Sequence, residues 1–238
     1  MVKPIQFLIT CEHGGNRIPP RFRHLFYDHE RLLASHRGYD AGALAMAKLL
    51  AKTLSAPLFI STTSRLLIDL NRSIGHPKLY FETVHQTPQA IRNDILEHYY
   101  LPYRNKAESA IATAIAHGST VIHISSHSFT LELNGEIRNT DIGLLYDPTR
   151  LAEAALCARW QTVFKSQRPN LKVRRNYPYT GKSDGFTAYL RRRFEPESYA
   201  GIELEINQKH VFNGKQYWRT LKHTVISTLL EALKAHIQ

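Results

Sequence analysis

Cysteine is scarce. Cys11 and Cys157 are the only two in 238 residues, which excludes a disulfide framework and suits a reducing compartment. Long apolar runs are missing too: no stretch approaches the roughly 20 residues that a helix needs to cross a bilayer. The start, Met1-Val2-Lys3-Pro4-Ile5, lacks the apolar region and small-residue cleavage site of a signal peptide, so a cytoplasmic location is expected. Neither HExxH nor CxxC occurs, so no short-spaced motif announces a metal centre. Internal repeats, low-complexity tracts and a convincing linker are also absent, and a single domain over residues 1–238 is the expectation. A chain of this length buries a large core without staples.

Acidic residues are the minority: 20 against 31 lysines and arginines, for a formal net charge of +11. The basic residues are mostly dispersed. The one dense run, Arg191-Arg192-Arg193, precedes Phe194-Glu195 and reads as a solvated helix end, where cations suit the dipole. A positive field of this kind concentrates a small anionic substrate; neither nucleic acid nor membrane is an expected partner.

Strand and helix patterns alternate along the chain. Residues 5–11 read as a strand ending at Gly14-Gly15, and Asp40 heads a helical stretch from Ala41 to Leu54. Leu58-Phe59-Ile60-Ser61 starts another strand, and the apolar run Leu66-Leu67-Ile68 empties into Asp69-Leu70-Asn71-Arg72-Ser73. Thr87-Pro88 opens a helical region reaching Gly118, with a break or kink at Pro102. A buried strand follows at Val121-Ile122-His123-Ile124, and Asn134-Gly135 marks a hairpin. A helix from about Pro148 to Gln167, a short strand around 171–173, a helix from Phe186 to Phe194, a strand from Ala200 to Asn207 and an amphipathic helix from Tyr217 to Ile237 complete the pass. The alternation predicts an α/β fold in three layers: a mixed, mostly parallel, twisted sheet with helices on both faces.

Chemistry collects where apolar runs end. His13 and His127 each follow such a run, which is how an open α/β sheet delivers ligands to a crevice at the carboxyl ends of its strands. Imidazole is the commonest metal ligand, and the pair points to a metal-dependent hydrolase; two hydrogen-bonded histidines among thirteen are the plainer alternative. Asn71 and Arg72 offer an amide and a planar fork to a carboxylate, with Arg65 as a second guanidinium, although Asp69 and Arg72 would also pair with each other. Glu203, Glu205 and Asn207 share one face of a late strand, as candidate bases or as a solvated strand face.

Taken in order, Cys11-Glu12-His13-Gly14-Gly15-Asn16-Arg17-Ile18-Pro19, Asp40-Ala41-Gly42-Ala43, Ser64-Arg65, Asp69-Leu70-Asn71-Arg72, Ser126-His127-Ser128, Asn176-Tyr177-Pro178-Tyr179-Thr180-Gly181 and Glu203-Leu204-Glu205-Ile206-Asn207 resemble the N-formylglutamate amidohydrolase family over nearly the whole chain. That family is similar in turn to zinc carboxypeptidases and to the acylglutamate and acylaspartate deacylases. The resemblance implies a phosphorylase/hydrolase-like fold, with His13 and His127 holding one zinc ion. It also implies Glu205 as general base, with Glu203 as fallback, and Asn71 with Arg72 on a substrate carboxylate. Carboxypeptidase-like sites carry a glutamate three residues after the first histidine, where this chain has Asn16, a poor zinc ligand. Asp40 is the favoured third ligand, ahead of Glu12 and Asn16; its alternative role is a helix N-cap. Glu12 itself stands where familiar members often have proline.

The implied reaction is hydrolysis of the amide of an N-acyl amino acid, N-formyl-L-glutamate being the type case. A metal-activated water attacks, Glu205 moves the proton and Arg65 stabilises the oxyanion. Two rivals are a metal-independent thiol amidase using Cys11 and a non-catalytic anion-binding protein on the same fold.

Overall fold

The computed structural model describes residues 3–234. In chain order the elements are β1 (Ile5–Cys11), α1 (Glu30–Leu33), α2 (Ala43–Thr53), β2 (Leu58–Ile60), α3 (Glu82–His85), α4 (Gln89–Ile95), α5 (Leu101–Ala116), β3 (Thr120–Phe129), β4 (Glu132–Leu133), β5 (Glu136–Ile137), β6 (Ile142–Leu145), α6 (Leu151–Gln167), β7 (Val173–Arg175), α7 (Phe186–Arg191), β8 (Tyr199–Asn207) and α8 (Lys215–Lys234). The part of the closing-helix expectation that falls on 235–237 lies outside the described residues.

Six strands form one sheet in the order β2-β1-β3-β8-β6-β7. The first four run parallel, β6 is antiparallel to β8, and β7 is parallel to β6. From β1 the chain crosses to β2 on one side and returns to place β3 on the other. The carboxyl ends of β1 and β3 therefore bracket the reversal point where open sheets leave a crevice.

Strand alternation divides the layers. Ile9, Ile124, Ile202, Leu204 and Ile206 pack with α2, α6 and α8, while Leu8, Val121 and Tyr199 pack with α5 and α7. Every residue of β8 is buried, as expected of a central strand covered on both faces. The solvated-face reading of Glu203 and Glu205 is thereby overturned. Each fully buried large side chain here, such as Trp160 or Phe164, contributes roughly 1.5–3 kcal/mol; the Trp160 indole N–H also donates to Thr228 Oγ1 at 3.0 Å, so its burial leaves no polar group stranded.

Several local expectations are adjusted. The helix after Asp40 starts later, at Ala43, because Gly42 takes φ +82 as its N-cap; a Cβ there would meet Val211 Cγ2 at 2.6 Å. Asp40 is thus not the cap, and its carboxylate is free for other partners. The 87–118 region is interrupted as foreseen, by a π-helical turn at Leu96–Tyr100 just before Pro102, whose missing N–H is harmless in the first turn of α5. The Asn134-Gly135 hairpin is present, with φ of +54 and +81 at the two turn residues. Leu66-Leu67-Ile68 joins no strand; it folds as a buried turn in a second apolar cluster with Phe22, Phe26 and Ile95. Arg191 is not solvated: it is buried and donates from Nε to Glu153 at 2.9 Å and to the carbonyls of Gly181 and Gly201.

Candidate active site

His13 lies two residues beyond β1, and its carbonyl accepts the amide of Asp40 at 2.9 Å, which pins the segment before α2 beside the end of β1. His127 lies near the end of β3, which pairs in parallel with β1. The two rings stand 5.1 Å apart. Asp40 Oδ2 lies between them, 2.9 Å from His127 Nδ1 and 3.4 Å from His13 Nδ1. All three residues are buried, and one ligand atom of each falls within 4.8 Å of the others.

The far nitrogen of each ring is tied to a carboxylate. His13 Nε2 is 2.7 Å from Asp69 Oδ1, and His127 Nε2 is 3.2 Å from Glu12 Oε2 and 2.8 Å from Ser125 Oγ. Ser125 donates in turn to Glu12, and the Tyr103 hydroxyl donates to its other oxygen. Carboxylates behind imidazoles hold the proton on the far nitrogen and aim the near lone pair inward, the usual support of a metal-ligating histidine.

Charge points the same way. Burial alone would raise the carboxyls of Glu12, Asp40 and Asp69, but the nearby imidazoles, and Arg65 for the two aspartates, outweigh it and hold all three well below the usual range. Burial likewise opposes a charge on His127, yet hydrogen bonds to Asp40 and Glu12 raise its pKa well above the ordinary value. The only arginine paired with these carboxylates is Arg65, 2.7 Å from Asp69 and 3.4 Å from Asp40, among the described residues. Three ionised carboxylates against Arg65 and a protonated His127 leave one excess negative charge, and a divalent cation that displaces that proton meets two. The donor set therefore fits a divalent cation.

Glu205 pairs in register with His127, and Glu203 with Ser125. Thr187 donates to Glu203 at 2.5 Å. Glu205 has no such partner: its Oε2 is buried and unbonded among the described residues, and burial pushes the carboxyl up to about 8. Of the two, Glu205 is the one left free.

Asn71 and Arg72 lie on the loop that leaves Asp69. The Asn71 side-chain oxygen accepts the amide of Phe186, and Arg72 Nη1 donates to the Asp184 carbonyl at 2.7 Å. The pairing of Asp69 with Arg72 does not occur; Asp69 takes Arg65 and His13 instead. The loop is held from behind by Tyr100 and Arg104, which donate to the carbonyls of Arg72 and Leu70.

Other candidates are set aside by position. Asn16 donates to the Leu33 carbonyl, away from the cluster. Cys11 is fully buried in the core on the opposite face from Glu12, and burial raises its pKa far above normal, so a thiolate nucleophile is disfavoured. His123 sits deeper in β3 between Thr10 and Tyr199. Gly181-Lys182-Ser183-Asp184-Gly185 has the spacing of a nucleophile elbow, contrary to the expectation that the chain has none, but no strand leads into it, and among the described residues Ser183 is bonded to no histidine. What sequence reasoning missed is the outer ring of partners. Glu12, Asp69 and Ser125 act through contacts that bridge up to 113 positions, for which no local pattern exists.

An open α/β sheet with a buried His-Asp-His cluster and a free glutamate at its reversal point defines the hydrolase-like class of three-layer fold. The family model for N-formylglutamate amidohydrolase matches residues 5–212, and the chain belongs to that family. A gene product of Agrobacterium tumefaciens is 26% identical and superposes with a TM-score of 0.85 over 98% of this chain and 92% of that one. The N-formylglutamate amidohydrolase of Ralstonia eutropha shares the fold at 17% identity, with a TM-score of 0.73 over 98% of this chain and 94% of that one. No curated protein sequence matches the chain. No helix among the described residues is long and apolar enough to cross a membrane.

Proposed function

We propose that the chain is a zinc-dependent amidohydrolase that cleaves N-acyl amino acids, with N-formyl-L-glutamate, giving formate and L-glutamate, as the preferred substrate. One observation carries the reading: two buried imidazoles present Nδ1 to the same Asp40 oxygen while their Nε2 atoms rest on carboxylates. His13, Asp40 and His127 would hold the ion. Bound zinc supplies Lewis acidity, making water acidic enough to ionise near pH 7 and polarising a carbonyl.

The chain's own groups account for the remaining steps. Glu205 Oε2, unbonded and facing the cluster's strand, takes a proton from the attacking water and returns it to the departing nitrogen. A carboxyl raised by burial both accepts and releases a proton near neutrality, which suits that double duty. Arg65 is braced by Asp69 and Asp40 and retains about a quarter of its side-chain exposure, so it faces developing oxyanion charge without moving. Asn71 and Arg72, fixed by the 184–186 backbone, grip the substrate carboxylate.

The test is metal analysis of the purified protein together with an amine-release screen over formyl-, acetyl- and succinyl-amino acids, before and after chelation. Stoichiometric zinc and chelator-sensitive release from formylglutamate are expected. Full activity in metal-free protein would overturn the metal assignment, and preference for another acyl donor would overturn the substrate.

A further inference from the structure

Arg138 follows β5 and is 93% buried, at 7% relative exposure, yet it has no carboxylate within ion-pair distance among the described residues. The other buried arginines are provided for: Arg191 pairs with Glu153, and Arg104 lies over three aromatic rings and donates to backbone carbonyls. The Arg138 guanidinium lies 5.1 Å from the Phe129 ring, two residues beyond His127, and Nη1 donates to the Tyr179 hydroxyl at 2.9 Å. Its Nε is buried and unbonded, and Nη2 makes no hydrogen bond among the described residues. One edge of the fork is thus without an acceptor. A buried cation left so is costly unless something binds it.

Its surroundings connect it to the active site. Tyr179 is half exposed, and the Arg138 carbonyl accepts from Asn207 Nδ2 at 3.1 Å, on the face of β8 that also carries Glu205. Phe129 and Asn207 are register partners two residues beyond the partnered His127 and Glu205, and both touch Arg138, which places it beside the site.

We propose that Arg138 determines specificity by receiving the second, side-chain carboxylate of a dicarboxylic N-acyl amino acid on its unpaired Nη2. A guanidinium meets a carboxylate through a charge-assisted hydrogen bond, and a neutral side chain would leave it unmet. The assignment deepens the amidohydrolase reading and rests on it.

The experiment compares glutarate with pentanoate, its monocarboxylate counterpart, by calorimetry on the zinc-loaded wild type, R138M and R138K. The kcat/KM for N-formylglutamate and for the neutral N-formylglutamine is measured in parallel. The wild type is expected to favour glutarate by about tenfold or more, the scale of a charge-assisted hydrogen bond. R138M should lose that preference and the discrimination between the two formyl substrates, with a melting temperature no lower than wild type. R138K should keep part of both and serves as the folded control. Equal binding of the two acids by wild type, or an unchanged preference in the variants, overturns the proposal. If no formyl amino acid is hydrolysed while glutarate still binds through Arg138, the hydrolytic reading falls and this assignment stands. Hydrolysis with an unaltered substrate ratio in R138M has the reverse meaning.

Discussion

Glu12 Oε2 lies 3.2 Å from His127 Nε2, on the opposite edge of the ring from the 2.9 Å contact between His127 Nδ1 and Asp40. Glu12 is thus placed to orient the imidazole that is proposed to hold the metal. Glu12→Gln keeps the shape but removes the charge behind the imidazole. Zinc affinity, read by competition with a chromophoric chelator, should fall about 10–100-fold; unchanged affinity would show that Ser125 alone suffices to aim the ring.

Glu205→Gln should leave zinc content and fold intact while lowering kcat by about 100-fold or more, the scale of a positioned acid-base group. An equal loss in Glu203→Gln, whose wild-type carboxylate is already engaged by Thr187, would reverse the assignment of the base.

Removing the metal should destabilise the protein without unfolding it, because the three apolar clusters do not include the ligands. Zinc at about a hundred times its dissociation constant should add about 2.7 kcal/mol relative to the chelated protein. Thermal melts with and without chelator measure this, and coincident curves would argue against binding at a folded site.

His123 is enclosed between Thr10 Oγ1 and the Tyr199 hydroxyl at 2.7 Å each, and burial lowers its pKa from 6.5 to about 4. Between those values the unfolded chain binds a proton that the folded protein refuses. The contribution is complete above pH 6.5 and is lost as the pH falls toward 4, at a slope approaching about 1.4 kcal/mol per pH unit. Urea melts of His123→Gln should show a shallower pH dependence across this window than wild type; parallel curves would refute the assignment.

Arg191→Met should be among the most damaging single changes. It leaves Glu153, fully buried, with its charge uncompensated. A loss of about 3–5 kcal/mol is expected by chemical denaturation, and a loss below 1 kcal/mol would mean that the Gly201 amide compensates for the missing cation.

Much of the architecture is legible along the chain. The alternation of apolar runs and helical spacing yields the three layers, and Asn134-Gly135 yields its hairpin, because period and turn chemistry act over a few residues. The glutamates of β8 are less transparent. Alternation with Ile202, Leu204 and Ile206 looks the same whether the polar face meets water or a reaction centre, and only the central position of β8 between β3 and β6 separates the two. Asp40 is similar. Its place ahead of a helix suggests a cap, and it is the left-handed Gly42 that moves the cap downstream and releases the carboxylate.

The order of residues along the chain was enough for the class of fold, which depends on local periodicity, and for the family resemblance, through which His13, Asp40, His127 and Glu205 were singled out. Which oxygen faces which nitrogen was settled by folding. The pairing of β1 with β3 brings Glu12 and Ser125 to His127, and a separate loop brings Asp69 to His13; electrostatics among buried groups depends on such separations in space, which no spacing in sequence encodes.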